Sequence, residues 1–146
     1  MMKKHISIVT PCFNEEGNVA ELSSRIAKVM EALPYDYEHI FIDNASTDKT
    51  VDNIKKIAEE DKNVKLIVNV RNFGHIRSPY HAILQTNSDA CIVIASDLQD
   101  PPEILPQFLA KWEEGYQVVY AVRKTRQEHF FKRMTYRASY RVLQKI

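Results

Sequence analysis

The feature that most constrains the fold is a repeated change in the spacing of apolar residues along the chain. Short apolar runs predict strands, and the segments between them place apolar residues three or four apart, which predicts helices. The predicted strands are residues 5–10, 37–43, 64–69, 90–95 and 117–122. Strands that alternate with helices favour right-handed crossovers and a mainly parallel sheet flanked by helices. The 146 residues therefore predict one α/β domain.

Local signals refine the expected helices and strands. Thr47 is predicted to cap the second helix, and a short helix is expected around residues 79–86. Asp100 and Glu103 have the spacing of a capping box, which predicts the start of the fourth helix. Residues 90–95 form the most apolar run, so this strand is expected to be buried on both faces of the sheet.

Composition excludes several classes of protein. With 45% hydrophobic and 27% charged residues, the chain is neither disordered nor built to cross a membrane, and no run approaches ~18 apolar residues. Its three glycines are too few and too scattered for a dinucleotide-binding or Walker-type phosphate loop. Cys12 and Cys91 lie in or beside apolar runs, which predicts reduced thiols and a cytoplasmic protein.

Charge is distributed unevenly along the chain. Residues 121–146 carry eight Lys or Arg residues and one acidic residue, a net +7, whereas the first 120 residues have a net charge of −6. This asymmetry and the absence of a nucleic-acid motif predict two different partners and no nucleic acid. A basic residue recurs every four positions from Arg133 to Lys145, which fits either an anionic membrane surface or a solvated face of an amphipathic helix.

Polar and acidic side chains follow the first, second and fourth predicted strands, as residues 11–16, Asp43 and Asp97. The carboxyl ends of parallel strands meet at one edge of the sheet, where ligands bind, so we expect these residues to lie together. Asp43 could accept hydrogen bonds from a base or ribose, and Phe13 offers a flat apolar face. Asp97 and the Gln99 carbonyl are hard oxygen ligands that suit Mg²⁺ or Mn²⁺, and such a cation would stabilise a diphosphate leaving group.

Structural roles for the same residues stay open at this point. Asp43 could simply begin a turn, and Glu15 could favour the positive end of the first helix. Arg71 could be a surface residue or a phosphate or sugar contact. Arg123 and Arg126 follow the fifth predicted strand at the same sheet edge, where their guanidinium groups could hold phosphate oxygens.

Four stretches together resemble the family 2 glycosyltransferases, which have the Rossmann-like GT-A fold. They are Ile8–Glu16, Phe41–Thr50, Arg71–His75 and Ser96–Glu103. The subgroup that the chain resembles most is the polyprenyl-phosphate sugar transferases, of the dolichol-phosphate mannose synthase type. The resemblance covers roughly residues 5–126 and implies a nucleotide-sugar-binding GT-A domain over 1–126. Residues 127–146 are then expected to form a basic amphipathic helical tail.

The resemblance also implies roles for particular residues. Those expected to line the nucleotide pocket are Pro11, Phe13, Glu15, Asp43 and Ser96, with Asp43 recognising the base. Asp97 and Gln99 are expected to hold the divalent metal, and Arg71, Arg123 and Arg126 to contact phosphates or the acceptor. Such enzymes transfer one sugar from a nucleotide-sugar, here expected to be a UDP-sugar, to a polyprenyl phosphate. The reaction takes place at the cytoplasmic face of the membrane, in cell-envelope glycan synthesis.

The chain departs from the family pattern in two ways that bear on its metal site and its activity. Ala95 stands where the Asp-x-Asp metal motif has its first acid, so a weaker metal site is expected. Family members also continue well past the equivalent of Ile146, so a truncated carboxyl terminus is expected, with the general base beyond Ile146. A non-catalytic nucleotide-sugar-binding fragment is the alternative, and a homo-oligomer stays open. A phospho-receiver domain is disfavoured because the third predicted strand ends at Asn69 rather than at an acid.

Overall fold

A parallel four-stranded sheet organises residues 3–122, the part of the chain that this computed structural model describes. The strands are β1 (His5–Cys12), β2 (Asp36–Asp43), β3 (Val64–Val68) and β4 (Ala90–Val93). Their order across the sheet is β3-β2-β1-β4, and every neighbouring pair is parallel. The predicted α/β fold with a parallel sheet is therefore confirmed, and the carboxyl ends of all four strands lie at the same edge.

Helices connect the strands and cover both faces of the sheet. They are α1 (Val19–Glu31), α2 (Thr50–Glu60), α3 (Gly74–Leu84) and α4 (Leu105–Glu113), with a 3-10 turn at Pro102–Ile104 just before α4. Helices α1, α2 and α4 pack on one face and α3 packs on the other. None of the helices within residues 3–122 has the length and apolar character needed to cross a bilayer.

Alternating strand residues supply the two halves of the core. The larger half contains fully buried side chains from β1, β2 and the three helices on that face, among them Ile8, Leu22, Phe41, Ile54 and Leu105. The smaller half contains Val9, Ile40 and Ile42 against Ala82 of α3. Burial on both faces also encloses polar side chains of β1 and β2, which pair with each other: the Ser7 hydroxyl donates to Glu38, and Thr10 is hydrogen-bonded to His39.

The fifth predicted strand is wrong, because residues 117–122 form no strand. A strand is stable only when its backbone groups pair with a neighbour, and β4 is the last strand of the sheet in the described part of the chain. Instead of pairing with β4, this segment borders a cavity of about 770 Å³ that also touches β4 and α4. Val118 and Tyr120 are consequently exposed.

The prediction that the fourth strand is buried on both faces is also wrong. Cys91 is exposed and Val93 is half-exposed on the face that α3 shares. Within residues 3–122, helix α3 packs mainly over β1 and β2 rather than over β4.

Two predicted helix starts differ from the structure. Helix α2 begins at Thr50 rather than after Thr47, because the Asp48 carboxylate accepts the Thr50 backbone N–H at 2.9 Å. Helix α3 begins at Gly74, five residues before the predicted start, and runs through Pro79.

The predicted N-cap before the fourth helix is displaced by one residue. Pro101, rather than Asp100, is the N-cap residue of the 3-10 turn that precedes α4. The Glu103 carboxylate accepts two hydrogen bonds from the Arg25 guanidinium of α1, at 2.9 and 2.6 Å. Glu103 therefore joins the 3-10 turn to α1.

Candidate functional site

The carboxyl ends of β1, β2 and β4 lie side by side. The β1–β2 register places Cys12 opposite Asp43, and the Asn44 N–H donates to the Cys12 carbonyl oxygen at 2.9 Å. Beyond β4, the Ser96 hydroxyl donates to the Pro11 carbonyl oxygen at 3.0 Å. Three residues that the sequence assigned to one nucleotide pocket, Pro11, Asp43 and Ser96, thus occupy adjacent strand ends.

Asp43 is fully buried at the end of β2, and its two carboxylate oxygens differ in their environment. Oδ2 accepts the backbone N–H of Ser46 at 2.9 Å, whereas Oδ1 is buried and has no hydrogen-bond donor within residues 3–122. A buried polar atom without a partner costs about 1–3 kcal/mol, and more when it is charged. Asp43 therefore does begin a turn, through the hydrogen bond that Oδ2 accepts. Its Oδ1 is free to accept a hydrogen bond from an N–H group of a ligand.

The loops after β1 and β2 are joined by reciprocal hydrogen bonds. The Asn14 N–H donates to Ser46 Oγ and the Thr47 N–H donates to Asn14 Oδ1, both at 2.9 Å. One residue further on, the Glu15 N–H donates to Thr50 Oγ1 at 2.8 Å. These bonds fix the backbone on either side of Asp43 before any ligand is present.

Two acidic side chains extend this connection. The Glu16 N–H donates to Asp48 Oδ2 at 3.2 Å, and the Lys49 N–H donates to Glu16 Oε2 at 2.9 Å. Desolvation raises the pKa of Asp48, but hydrogen bonds from Thr50 and Glu16 outweigh it and hold that pKa below its ordinary value. Asp48 is therefore ionised at neutral pH and serves the loop as an acceptor.

Strained backbone is found in each of the three loops that meet here. Asn14, Ala45 and Leu98 have φ angles of 56°, 64° and 57°, in the left-handed region that disfavours residues other than glycine. Such conformations cost of order 1–3 kcal/mol each and concentrate at binding sites. Their positions, one in each loop, mark this edge of the sheet as a functional region.

Asn44 fixes the loop after β3 to the same edge. Its Oδ1 accepts the Phe73 N–H at 2.9 Å and the Asn69 side-chain amide at 3.2 Å, while its own amide donates to Asn72 Oδ1 at 2.8 Å. Arg71 lies in this loop with its guanidinium carbon 4.9 Å from the centre of the Phe73 ring. The exposed Arg71 side chain is thus held beside the site by a stacked ring and a fixed backbone.

The two remaining predicted nucleotide contacts lie in the loop after β1. Phe13 is half-exposed, so one face of its ring is available to a ligand. The Glu15 carboxylate accepts a hydrogen bond from the Asn18 side-chain amide at 2.6 Å, just before α1. Glu15 therefore has the structural role at the helix start that the sequence left open, in addition to its place in the loop.

The predicted metal ligands follow β4. Asp97 is exposed and its Oδ1 accepts the Gln99 backbone N–H at 3.1 Å. Residues 3–122 contain no group of three or more His, Cys, Asp or Glu side chains close enough to hold an ion. Asp97 fits a cation that takes one carboxylate from the protein and its other ligands from phosphates and water, as Mg²⁺ usually does. Arg123, Arg126 and the 126/127 boundary lie outside the described residues.

Comparison with known proteins identifies the family. The model of the family described as glycosyl transferase family 2 matches residues 7–145. The chain belongs to glycosyl transferase family 2. This family 2 chain is 40% identical over 145 residues to an uncharacterized glycosyltransferase, YkcC, of Bacillus subtilis strain 168, covering 97% of this chain and 45% of the relative.

A second relative carries a more specific name. It is the undecaprenyl-phosphate 4-deoxy-4-formamido-L-arabinose transferase of Enterobacter sp. strain 638, which is 33% identical over 141 residues. The match covers 95% of this chain and 43% of that protein. The family 2 chain thus spans less than half the length of either relative.

Solved structures of other glycosyltransferases have the same fold. The mannosyltransferase PcManGT of Pyrobaculum calidifontis, solved with GDP-Man and Mn²⁺, is 19% identical and superposes with a TM-score of 0.63, over 77% of this chain and 33% of that one. Glucosyl-3-phosphoglycerate synthase of Mycobacterium tuberculosis, solved with Mn²⁺, UDP and phosphoglyceric acid, is 24% identical with a TM-score of 0.59, over 75% and 39% of the two chains. These likenesses confirm the GT-A fold of the family 2 domain.

Sequence reasoning missed several positioning residues of the family 2 domain. They are Asn44, Ser46 and Asp48, which lie between β2 and α2, and Thr50, the first residue of α2. The polar run from Asp43 to Thr50, which only Ala45 interrupts, was the available signal, because a long polar run between a buried strand and a helix must find partners for its side chains.

Proposed function

We propose that this family 2 domain binds a nucleotide-diphosphate sugar, with a UDP-sugar preferred, at the carboxyl edge of its sheet. The observation that carries the proposal is Asp43 Oδ1, a buried carboxylate oxygen without a donor at the end of β2. The N3–H of uracil is a single donor of the kind that this oxygen needs.

The two carboxylate oxygens of Asp43 favour uracil over guanine. Guanine presents two adjacent donors, N1–H and the 2-amino group, which are best satisfied by both oxygens of one carboxylate. Here the Ser46 N–H already occupies Oδ2, so one oxygen is left for the base. Uracil presents one N–H group, N3–H, so this single oxygen is sufficient for it.

The other predicted contacts are proposed around this base position. Phe13 would stack on the base, with Pro11, Glu15 and Ser96 forming the surrounding wall, and Arg71, Arg123 and Arg126 would contact phosphate oxygens of the donor or acceptor. Asp97, with Gln99 beside it, would hold Mg²⁺ or Mn²⁺ against the diphosphate. When bound, this cation would neutralise charge on the leaving diphosphate.

For the complete protein we propose transfer of the sugar to a polyprenyl phosphate, in cell-envelope glycan synthesis at the inner face of the membrane. An oxygen of the acceptor phosphate attacks the anomeric carbon, and the bond from that carbon to the nucleoside diphosphate breaks with inversion. The acceptor oxygen is already anionic, so little help from a general base is needed. The printed name of the Enterobacter relative, an undecaprenyl-phosphate transferase, supports this acceptor class.

Calorimetric titration with UDP, with Mn²⁺ and then with EDTA, tests the donor site. Saturable binding to UDP that is stronger than binding to GDP supports the proposal, and weakening by EDTA supports the metal role of Asp97. Absence of binding to both nucleotides would refute it. Incubation with a radiolabelled UDP-sugar and undecaprenyl phosphate then separates transfer from binding alone, since Ala95 also allows a domain that binds the donor without transferring its sugar.

A further inference from the structure

Helix α3 exposes an apolar stripe on the side that faces away from the sheet. Ile76, Tyr80 and Leu84 are spaced four residues apart and are 70%, 60% and 62% exposed. Residues with this spacing lie on one side of a helix. Ser78 and Ala82, on the opposite side, are buried against β1 and β2. The apolar stripe is therefore an outer surface of the domain rather than an edge of its core.

The sequence segment that contains this apolar stripe has no acidic residue. Between Asp61 and Asp89 lie 27 residues without a single Asp or Glu, although the chain has 19 acidic residues. The same segment contains two lysines, two arginines and two histidines: Lys62, Lys65, Arg71, Arg77, His75 and His81. Lys65 is paired with the Glu38 carboxylate of β2, so the positive charge near α3 comes from Arg71 and Arg77.

Cationic and apolar groups alternate along the exposed part of this segment. Val70 is 94% exposed next to the exposed Arg71, and Ile76 is followed by the exposed Arg77. Apolar side chains rimmed by arginine, with a tyrosine among them, are the composition of surfaces that sit in a lipid headgroup region. A contiguous exposed apolar patch on a soluble domain marks an interaction site.

We infer that the outer face of α3 docks on an anionic lipid surface, with Ile76, Tyr80 and Leu84 inserted among the headgroups and Arg77 contacting lipid phosphates. The charge of this face favours an anionic lipid surface over a second copy of the chain as the binding partner. Two copies of the face in contact would bring arginines of like charge together. This docking surface lies on α3 and is distinct from the basic helical tail expected over residues 127–146.

Docking through α3 would also orient the candidate site. The helix begins at Gly74, two residues after Asn72, which accepts the hydrogen bond from Asn44. The first turn of α3 therefore adjoins the carboxyl edge of the sheet. A domain docked in this way would hold its nucleotide site close to the surface that carries a lipid acceptor, although the docking itself does not depend on the proposed function.

Depth-dependent quenching by brominated lipids tests the inference directly. In the 146-residue chain with Trp112→Phe, the variant Tyr80→Trp places one indole in the stripe, and the matched control Tyr120→Trp places one at an exposed site beside the cavity. With vesicles of brominated phosphatidylglycerol we expect roughly twofold quenching at position 80 and little at position 120. Vesicles of brominated phosphatidylcholine should quench neither.

Either of two results would overturn the inference. One is vesicle binding without quenching at position 80, which would assign binding to the basic segment 121–146. Another is a concentration-dependent blue shift at position 80 without lipid, which would indicate a second copy on this face.

A second set of variants keeps the test independent of the fluorophore. The pair Ile76→Ser and Leu84→Ser, made together, should weaken partitioning onto anionic vesicles by about tenfold or more. The matched pair Val118→Ser and Tyr120→Ser, at two exposed apolar residues outside α3, should leave it unchanged. UDP titration of the same α3 variant should match the unmodified chain, so failure of the lipid inference and failure of the nucleotide site are distinguishable.

Discussion

Replacing Asp43 with asparagine changes one hydrogen-bonding atom and almost nothing of the shape of the side chain. The Ser46 N–H needs an acceptor, so the asparagine Oδ1 takes the place of Oδ2 and the amide nitrogen occupies the position of Oδ1. Uracil N3–H then faces a donor instead of a carboxylate oxygen. Loss of a hydrogen bond to a charged group costs about 1.5–3 kcal/mol. Binding of UDP should therefore weaken by about 10- to 150-fold.

The same substitution should change the choice of base. Cytosine presents an acceptor at N3, which a carboxylate oxygen repels and an amide NH₂ group satisfies. Calorimetry should show that the unmodified chain prefers UDP to CDP and that D43N prefers CDP. This reversal cannot be produced by partial unfolding, because a damaged site would weaken both nucleotides together.

The matched control for this change lies on the same strand. Asp36 begins β2, seven residues from Asp43 and at the opposite edge of the sheet, and it is exposed. D36N should bind UDP and CDP as the unmodified chain does. If D43N kept its preference for UDP at unchanged affinity, the assignment of Oδ1 to the base would be refuted.

Four further predictions follow from other residues. Burial lowers the pKa of His39 to about 3. Below pH 6.5 the unfolded chain therefore binds a proton at this histidine, whereas the native state does not. The free energy of unfolding should fall by about 2 kcal/mol between pH 6.5 and 5. Urea unfolding at both pH values should show this loss, and His39→Gln should abolish most of it. Asn44→Ala should destabilise the domain by about 2 kcal/mol and speed proteolysis in the loop after β3; an unchanged urea midpoint would contradict the role given to Asn44. Ala45→Gly should raise stability by roughly 0.5–1 kcal/mol, because glycine adopts the φ of 64° without strain, and a lower midpoint would argue against that strain. Asp97→Asn should remove most of the effect of Mn²⁺ on UDP affinity while leaving affinity in EDTA unchanged, and persistence of the Mn²⁺ effect would exclude Asp97 as a ligand.

The sheet was predictable because its strands are specified by local pattern. Val64–Val68 is apolar over most of its length, the two central strands contain the short apolar runs 8–9 and 40–42, and each strand is followed by a segment with helical spacing. Residues 117–122 carry the same pattern but are not a strand, since pairing depends on a neighbour that local sequence does not reveal. Exposure of Cys91 has a similar cause, because the coverage of β4 depends on where α3 packs.

The position of the candidate site at the sheet edge could be predicted from the sequence, whereas the hydrogen bonds within it could not. Asp43 and Ser96 could be assigned to one edge because parallel strands end together. That Asp43 uses one oxygen for Ser46 and leaves the other without a donor depends on the path of the loop, which is fixed by contacts between segments about 30 residues apart in sequence. Such long-range side-chain contacts have no local sequence pattern.

Mapping the bound nucleotide by ¹H–¹⁵N NMR tests the central claim most directly. As UDP is added in the presence of Mn²⁺, we expect saturable shifts for the backbone amides of Asn14, Ser46 and Phe73, which lie in the three loops around Asp43. Amides of α4, such as that of Lys111, should stay in place. Saturable binding that shifts α4 and leaves the three loops unchanged, or no binding of UDP or GDP at all, would contradict a nucleotide site at the carboxyl edge of this sheet.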